Sequence, residues 1–345
     1  MSVRIAINGF GRIGRLVVRA IAEQRIKDVE IVAINSPGAL ETQAHLLRYD
    51  SVHGRFANDV KIGQGFMDIG LGKMRITHER DPAHADWKSL DVDVVLECSG
   101  FFRTRESVQA HLEAGAKSVV ISAPASGADK TIVFGVNEGE LTANDEIVSC
   151  ASCTTNCLAP IAKVLLESVG IRRGFMTTIH SYTLDQRILD SSHKDLYRAR
   201  AAGLNMIPTS TGAARAVSLV IPELKDKLSG SSVRVPTANV SLVDLAFQPD
   251  GMSDVQSINA AVRKAAKGDM KGVIRYTEEP LVSSDINHDP HSAVFAAPLT
   301  KVIHSDLVKV IAWYDNEWGF SNRMIDVARA LAAVRKGKNK KPIKP

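Results

Sequence analysis

Three of the four cysteines of this 345-residue chain, Cys150, Cys153 and Cys157, are crowded into the segment SCASCTTNC. A β-type run, EIVSC, leads into the segment, and a helical pattern expected from about Asn156 to Ser168 leads out of it. A thiol at a helix N-terminus has its thiolate stabilised by the helix dipole and by unpaired N–H groups, and the thiolate is the nucleophile. Cys153 is the best placed of the three, because Cys150 belongs to the strand end and Cys157 lies one turn on, where packing is its expected role. The spacing CxxCxxxC does not suit zinc pairs and lacks a fourth ligand, so no metal is expected. His180 closes the β-run FMTTIH, and an imidazole paired with Cys153 would supply a base for the thiol and a relay for its proton.

A second chemistry is written at the N-terminus. Gly9, Gly11 and Gly14 form GxGxxG between the strand VRIAIN and the helical RIGRLVVRAIAEQ, the context in which a dinucleotide pyrophosphate rests on a helix N-terminus. The acid that usually holds the adenosine ribose at the end of the second strand is absent, and VAINSPG places Ser36 there. A serine hydroxyl bonds to a 2′-hydroxyl or a 2′-phosphate and repels neither, so NADP is allowed beside NAD.

Short β-rich runs and helical patterns alternate through the first third: VRIAIN, a helix from about Arg12, EIVAIN, a helix from about Leu40, DVVLECSG, a helix from about Arg105, and SVVISAP. Such βαβ units predict a Rossmann-type doubly wound parallel sheet. After about residue 152 the pattern becomes α+β with a mostly antiparallel sheet, and a helix over about 317–335 returns to the first part. The expected division is a dinucleotide-binding domain of 1–152 with 315–345, and a catalytic domain of 153–314.

Six of the 43 Lys and Arg lie in the tail 335–345, which leaves 37 against 38 acids in the body. The net charge of +5 therefore gives no reason to expect nucleic acid outside the tail, which reads as a frayed, solvated end. No apolar run is long enough for a membrane span, the N-terminus lacks signal-peptide features, and clustered thiols suit a reducing cytoplasm.

Seven ordered motifs, NGFGRIGR, SCTTNC, the HSYT beginning at His180, RARAA, TSTGAA, RVPT and WYDNEWG, resemble those of phosphorylating glyceraldehyde-3-phosphate dehydrogenases, from Val3 to about Val334. The resemblance implies that Cys153 attacks an aldehyde, that His180 takes the proton while hydride passes to NAD and/or NADP, and that phosphate releases an acyl phosphate. It implies Thr183 and Arg234 for the substrate phosphate, and Ser152, Thr154, Thr211 and Gly212 for the attacking phosphate, with Arg198 nearby. For the cofactor it implies Gly9, Gly11, Arg12, Ile13, Gly14, Asn35, Ser36, Arg80, Ser99, Ser122, Ser192 and Asn316, and for assembly a homotetramer with the 182–204 loop at subunit contacts. The chain departs from the family pattern at Ser36, at Ser191-Ser192 and at Leu184. Cys150 is an extra thiol that suggests a Cys150–Cys153 disulfide under oxidation. Erythrose-4-phosphate dehydrogenase, which shares DINHDPHS (285–292), and a scaffold binding nucleic acid through the basic tail are the alternative functions.

Overall fold

The computed structural model describes residues 2–337, so most of the basic tail lies outside the described residues. The chain divides into two compact units, one holding the residues up to Ser152 and those from Ser321 on, the other running Cys153–Phe320.

In the first unit a nine-stranded sheet has Val3–Asn8 at its centre. On one side follow Val94–Glu97, Val119–Ile121, Ile147–Ser149 and Lys130–Thr131, and on the other Val29–Asn35 and Lys73–Thr77, all parallel. Chain order thus reverses at the central strand, which makes the crevice beyond Asn8 the topological switch point where ligands bind in such sheets. Ile5, Ala6, Ile7, Val94, Val95 and Leu96 are all fully buried, as strands covered on both faces require. The sheet is not parallel throughout: Lys61–Gly63 and Phe66–Asp68 add an antiparallel edge through a turn at Gln64-Gly65, with Gly65 at φ +71°.

In the second unit an eight-stranded sheet runs in the order Ile207–Thr209, Leu228–Val235, Arg173–Ser181, Ser241–Gln248, Leu307–Tyr314, Ala293–Ala296, Ile274–Thr277, and Lys301–Ile303 pairs with Leu307–Tyr314. Two of its pairings are parallel, Arg173–Ser181 with Leu228–Val235 and Ile274–Thr277 with Ala293–Ala296, and the others are antiparallel. Helix Cys153–Val169 packs on one face, and the strict alternation of buried and half-buried residues along Ser241–Gln248 records that one-sided covering. The last helix, Trp318–Arg335, is capped by Asp315, whose Oδ1 accepts from the Glu317 and Trp318 N–H groups at 2.9 and 2.8 Å.

Candidate active site

Helix Cys153–Val169 begins three residues earlier than its sequence pattern suggests, so Cys153 is its first residue. Just before it Ala151, fully buried, takes a left-handed φ of +55°, a strained conformation for a residue with a Cβ. His180 comes from the penultimate position of strand Arg173–Ser181, and its Nε2 lies 3.5 Å from Cys153 Sγ.

The tautomer of His180 follows from its other nitrogen. Nδ1 lies 2.8 Å from the Ser181 carbonyl, which can only accept, so Nδ1 carries the proton and Nε2 presents a lone pair to the thiol. Arg234 Nη1 is farther from Nδ1, at 3.2 Å, and donates instead to the same carbonyl at 3.2 Å. Burial, and after it the charge of Arg234, pushes the imidazole down to about 3. Burial pushes the Cys153 thiol up, opposed by Arg234 and by donors from Thr154 and from its own N–H. The resting pair is therefore a neutral thiol against a neutral base.

Around this pair the sheet gathers basic and hydroxyl groups. Arg234, from Leu228–Val235, reaches Thr183 Oγ1 at 3.4 Å, and its buried Nε has no partner within the protein. Arg198 is held by Asp185 and Asp195, donates from Nε to Thr209 Oγ1 at 3.0 Å, and acts electrostatically on both His180 and Arg234. Thr183, Arg198 and Arg234 are thus brought to the Cys153–His180 pair. Thr154 is buried and its hydroxyl is engaged with Tyr314 Oη at 2.9 Å, as is that of Thr178. Thr211 and Gly212 open the short helix Ala213–Val217, where Thr211 Oγ1 accepts from the Ala213 N–H at 3.2 Å. Ser152 directly precedes Cys153, and exposed Ser192 offers its carbonyl to Arg187 at 2.9 Å.

Asn316 is oriented by two hydroxyls. Its Oδ1 accepts from Ser181 Oγ at 3.0 Å and Ser241 Oγ at 2.9 Å, which leaves its NH₂ as the group turned to a ligand. Ser181 and Tyr314 stand inside the HSYT and WYDNEWG segments without a role having been read for them, and Ser241 lies in no motif; strand pairing sets Ser241 opposite Tyr314.

In the first unit the three glycines differ in their reasons. Gly9 has φ +94°, and a Cβ there would meet Ser99 N at 2.4 Å; a Cβ on Gly14 would meet Gly9 O at 2.2 Å. Gly11 has nothing within 4 Å of such a Cβ, and as N-cap of Arg12–Glu23 it provides no side-chain cap. Open space over uncapped helix N–H groups fits a pyrophosphate. Ile13 follows, half-buried, and Arg12 is turned to Asp50 in an ion pair. Asn35 is committed to the protein: its amide bonds Asn8 Oδ1, Thr77 Oγ1 and both backbone groups of Glu79, all at 2.8–2.9 Å. Ser99 is fixed by its N–H on Glu97 at 2.7 Å, and the Ser122 N–H donates to the Glu97 carbonyl at 3.0 Å. Ser36 is half-buried at the strand end and Arg80 is exposed.

All four cysteines are free thiols, and burial pushes that of Cys150 up to about 12. Among the described residues no group of three or more His, Cys, Asp or Glu is arranged to hold a metal, and no helix is long and apolar enough to cross a membrane.

Comparison with known proteins gives two family matches. Residues 3–105 match the glyceraldehyde 3-phosphate dehydrogenase NAD binding domain, and residues 152–316 match the C-terminal domain of the same family. The chain is similar to the glyceraldehyde-3-phosphate dehydrogenases of Cereibacter sphaeroides, at 59% identity over 97% of this chain and all of the relative, and of Xanthobacter flavus, at 57% over the same shares. The protein of that name from Zymomonas mobilis is 55% identical over 96% of this chain and 99% of the relative.

Proposed function

Since this chain belongs to the glyceraldehyde-3-phosphate dehydrogenase family, we propose that it oxidises glyceraldehyde 3-phosphate to 1,3-bisphosphoglycerate with inorganic phosphate and NAD or NADP. The observation that carries the reading is the 3.5 Å approach of Cys153 Sγ to an imidazole whose Nδ1 is locked on Ser181.

His180 Nε2 takes the thiol proton as Sγ bonds to the aldehyde carbon and passes it to the carbonyl oxygen, giving a thiohemiacetal. Nε2 then takes the thiohemiacetal hydroxyl proton as hydride leaves the same carbon, and the product is a thioester. The bound nicotinamide cofactor supplies the hydride acceptor. A phosphate oxygen then attacks the thioester carbon, the C–S bond breaks, and the departing sulfur takes the proton back from Nε2, which restores the thiol and the neutral base. Arg234 with Thr183 suits the substrate phosphate, because a guanidinium with an unpartnered buried Nε is a strong donor to a phosphate oxygen. Asn316, with its acceptor oxygen occupied, suits the carboxamide of the nicotinamide.

We extend the reading to a homotetramer in the cytoplasm. Its support is the apolar surface of the 184–206 segment, where Leu184, Ile188, Leu196 and Leu204 are each more than 80% exposed. Initial rates with glyceraldehyde 3-phosphate and phosphate, in wild type and Cys153→Ala, test the reaction: turnover surviving in Cys153→Ala overturns it. Light scattering of the purified chain tests the tetramer.

A further inference from the structure

The second strand of the nucleotide-binding sheet ends at Asn35, and this strand end is where the adenosine ribose is held in doubly wound folds. Ser36 stands there without a carboxylate, and the Asn35 amide is spent on Asn8, Thr77 and Glu79. The residue that follows the adjacent strand brings its side chain to Ser36 instead. Strand Lys73–Thr77 is tied to Ser36 by the Ser36 N–H, which donates to the Thr77 carbonyl at 2.9 Å. The next residue, His78, lies with Nδ1 2.9 Å from the Ser36 carbonyl. That carbonyl also accepts from Gln43 Nε2 at 3.3 Å, and Gln43 is anchored in turn on the Gly38 carbonyl at 2.6 Å. A carbonyl only accepts, so His78 Nδ1 carries a proton and Nε2 is the nitrogen left to meet a ligand on an exposed ring.

We propose that His78 reads the 2′ position of the adenosine ribose and does so for both cofactors, an inference that rests on the NAD(P) reading above. With a lone pair, Nε2 accepts from the 2′-hydroxyl of NAD, the role a carboxylate plays in other sheets of this kind. With a proton, Nε2 donates to the 2′-phosphate of NADP and sets a positive charge against it, where a carboxylate would repel. Glu79 and Arg80 follow His78 in the chain, and Glu41 stands in the first turn of helix Leu40–Arg48.

Equilibrium binding of NAD, NADP, 5′-AMP and 2′,5′-ADP to the full chain tests the assignment in wild type, His78→Ala and His78→Gln. A charge-assisted hydrogen bond is roughly twice as strong as a neutral one. His78→Ala should therefore weaken NADP and 2′,5′-ADP about tenfold, and NAD and 5′-AMP about threefold or less. His78→Gln, which keeps hydrogen-bonding groups without a charge, should restore NAD and leave NADP weak. Unchanged NADP binding in His78→Ala, or an equal loss for both cofactors, overturns the assignment, and so does a wild type that binds NAD but neither NADP nor 2′,5′-ADP. The expected binding pattern in a protein that fails to turn over glyceraldehyde 3-phosphate supports His78 and counts against the proposed reaction alone.

Discussion

His111 Nε2 donates to Glu97 Oε2 at 3.1 Å in the dry interior of the nucleotide-binding unit, both side chains being at most 1% exposed. The direction is set by Trp87, whose indole N–H donates to His111 Nδ1 at 3.1 Å and leaves the ring proton on Nε2. Glu97 collects three further donors, Asn8 Nδ2 at 2.5 Å and both the N–H and the hydroxyl of Ser99, so each of its oxygens receives two. The buried carboxyl thus pins Ser99 against Gly9. Glu97→Gln presents an NH₂ to groups that donate, and a loss of about 2 kcal/mol is expected, the scale of a buried donor left without its acceptor. Urea denaturation measures it, and a loss below about 0.5 kcal/mol would sink the account.

Acid sensitivity is expected from His180. Its folded imidazole is held near 3 by burial and by Arg234, whereas an unfolded histidine titrates near about 6.5. The unfolded chain binds the extra proton, so this group's contribution is complete above pH 6.5 or so and declines as pH falls towards 3, by up to about 1.4 kcal/mol per unit. Unfolding midpoints at pH 5 and pH 7 should differ less in His180→Asn than in wild type.

Alkylation separates the two influences on the nucleophile. Burial raises the Cys153 thiol and Arg234 lowers it, so Arg234→Leu should slow iodoacetamide modification at pH 8 several-fold, with Cys153→Ala as the blank. Faster modification in Arg234→Leu would mean that access, and not charge, controls the thiol.

Two glycines of one motif should behave differently when given a methyl group. At Gly14 the new Cβ would lie 2.2 Å from a backbone oxygen, so Gly14→Ala should cost stability as well as NAD binding. At Gly11 it meets nothing of the protein, so Gly11→Ala should keep its thermal midpoint within about 2 °C while NAD affinity falls tenfold or so. A Gly11→Ala protein with unaltered NAD affinity would remove the pyrophosphate from this loop.

Local pattern carried the nucleotide-binding strands, the glycine turn and the cysteine helix. It misjudged the helix start because Thr154 and Thr155 have modest helix propensity, and burial of both overrides it. Strand Lys73–Thr77 and the antiparallel edge beyond it were missed: KMRIT alternates buried Met74 and Ile76 with exposed Lys73 and Arg75, but Gly63, Gly65, Gly70 and Gly72 make the surrounding segment read as loop. The partners that orient the site were not readable at all. Asn316 was legible from its motif, but Ser181 and Ser241, whose hydroxyls hold it, meet it across 135 and 75 residues of chain, and His78 meets Ser36 across 42, distances over which no periodicity speaks.

The chain changes unit between Ser152 and Cys153. Gly11, Ser36 and His78 belong to one compact body, and Cys153, His180 and Arg234 to the other. Substitutions at the proposed ribose readers Ser36 and His78 therefore fall on a different structural module from those at the proposed nucleophile and base.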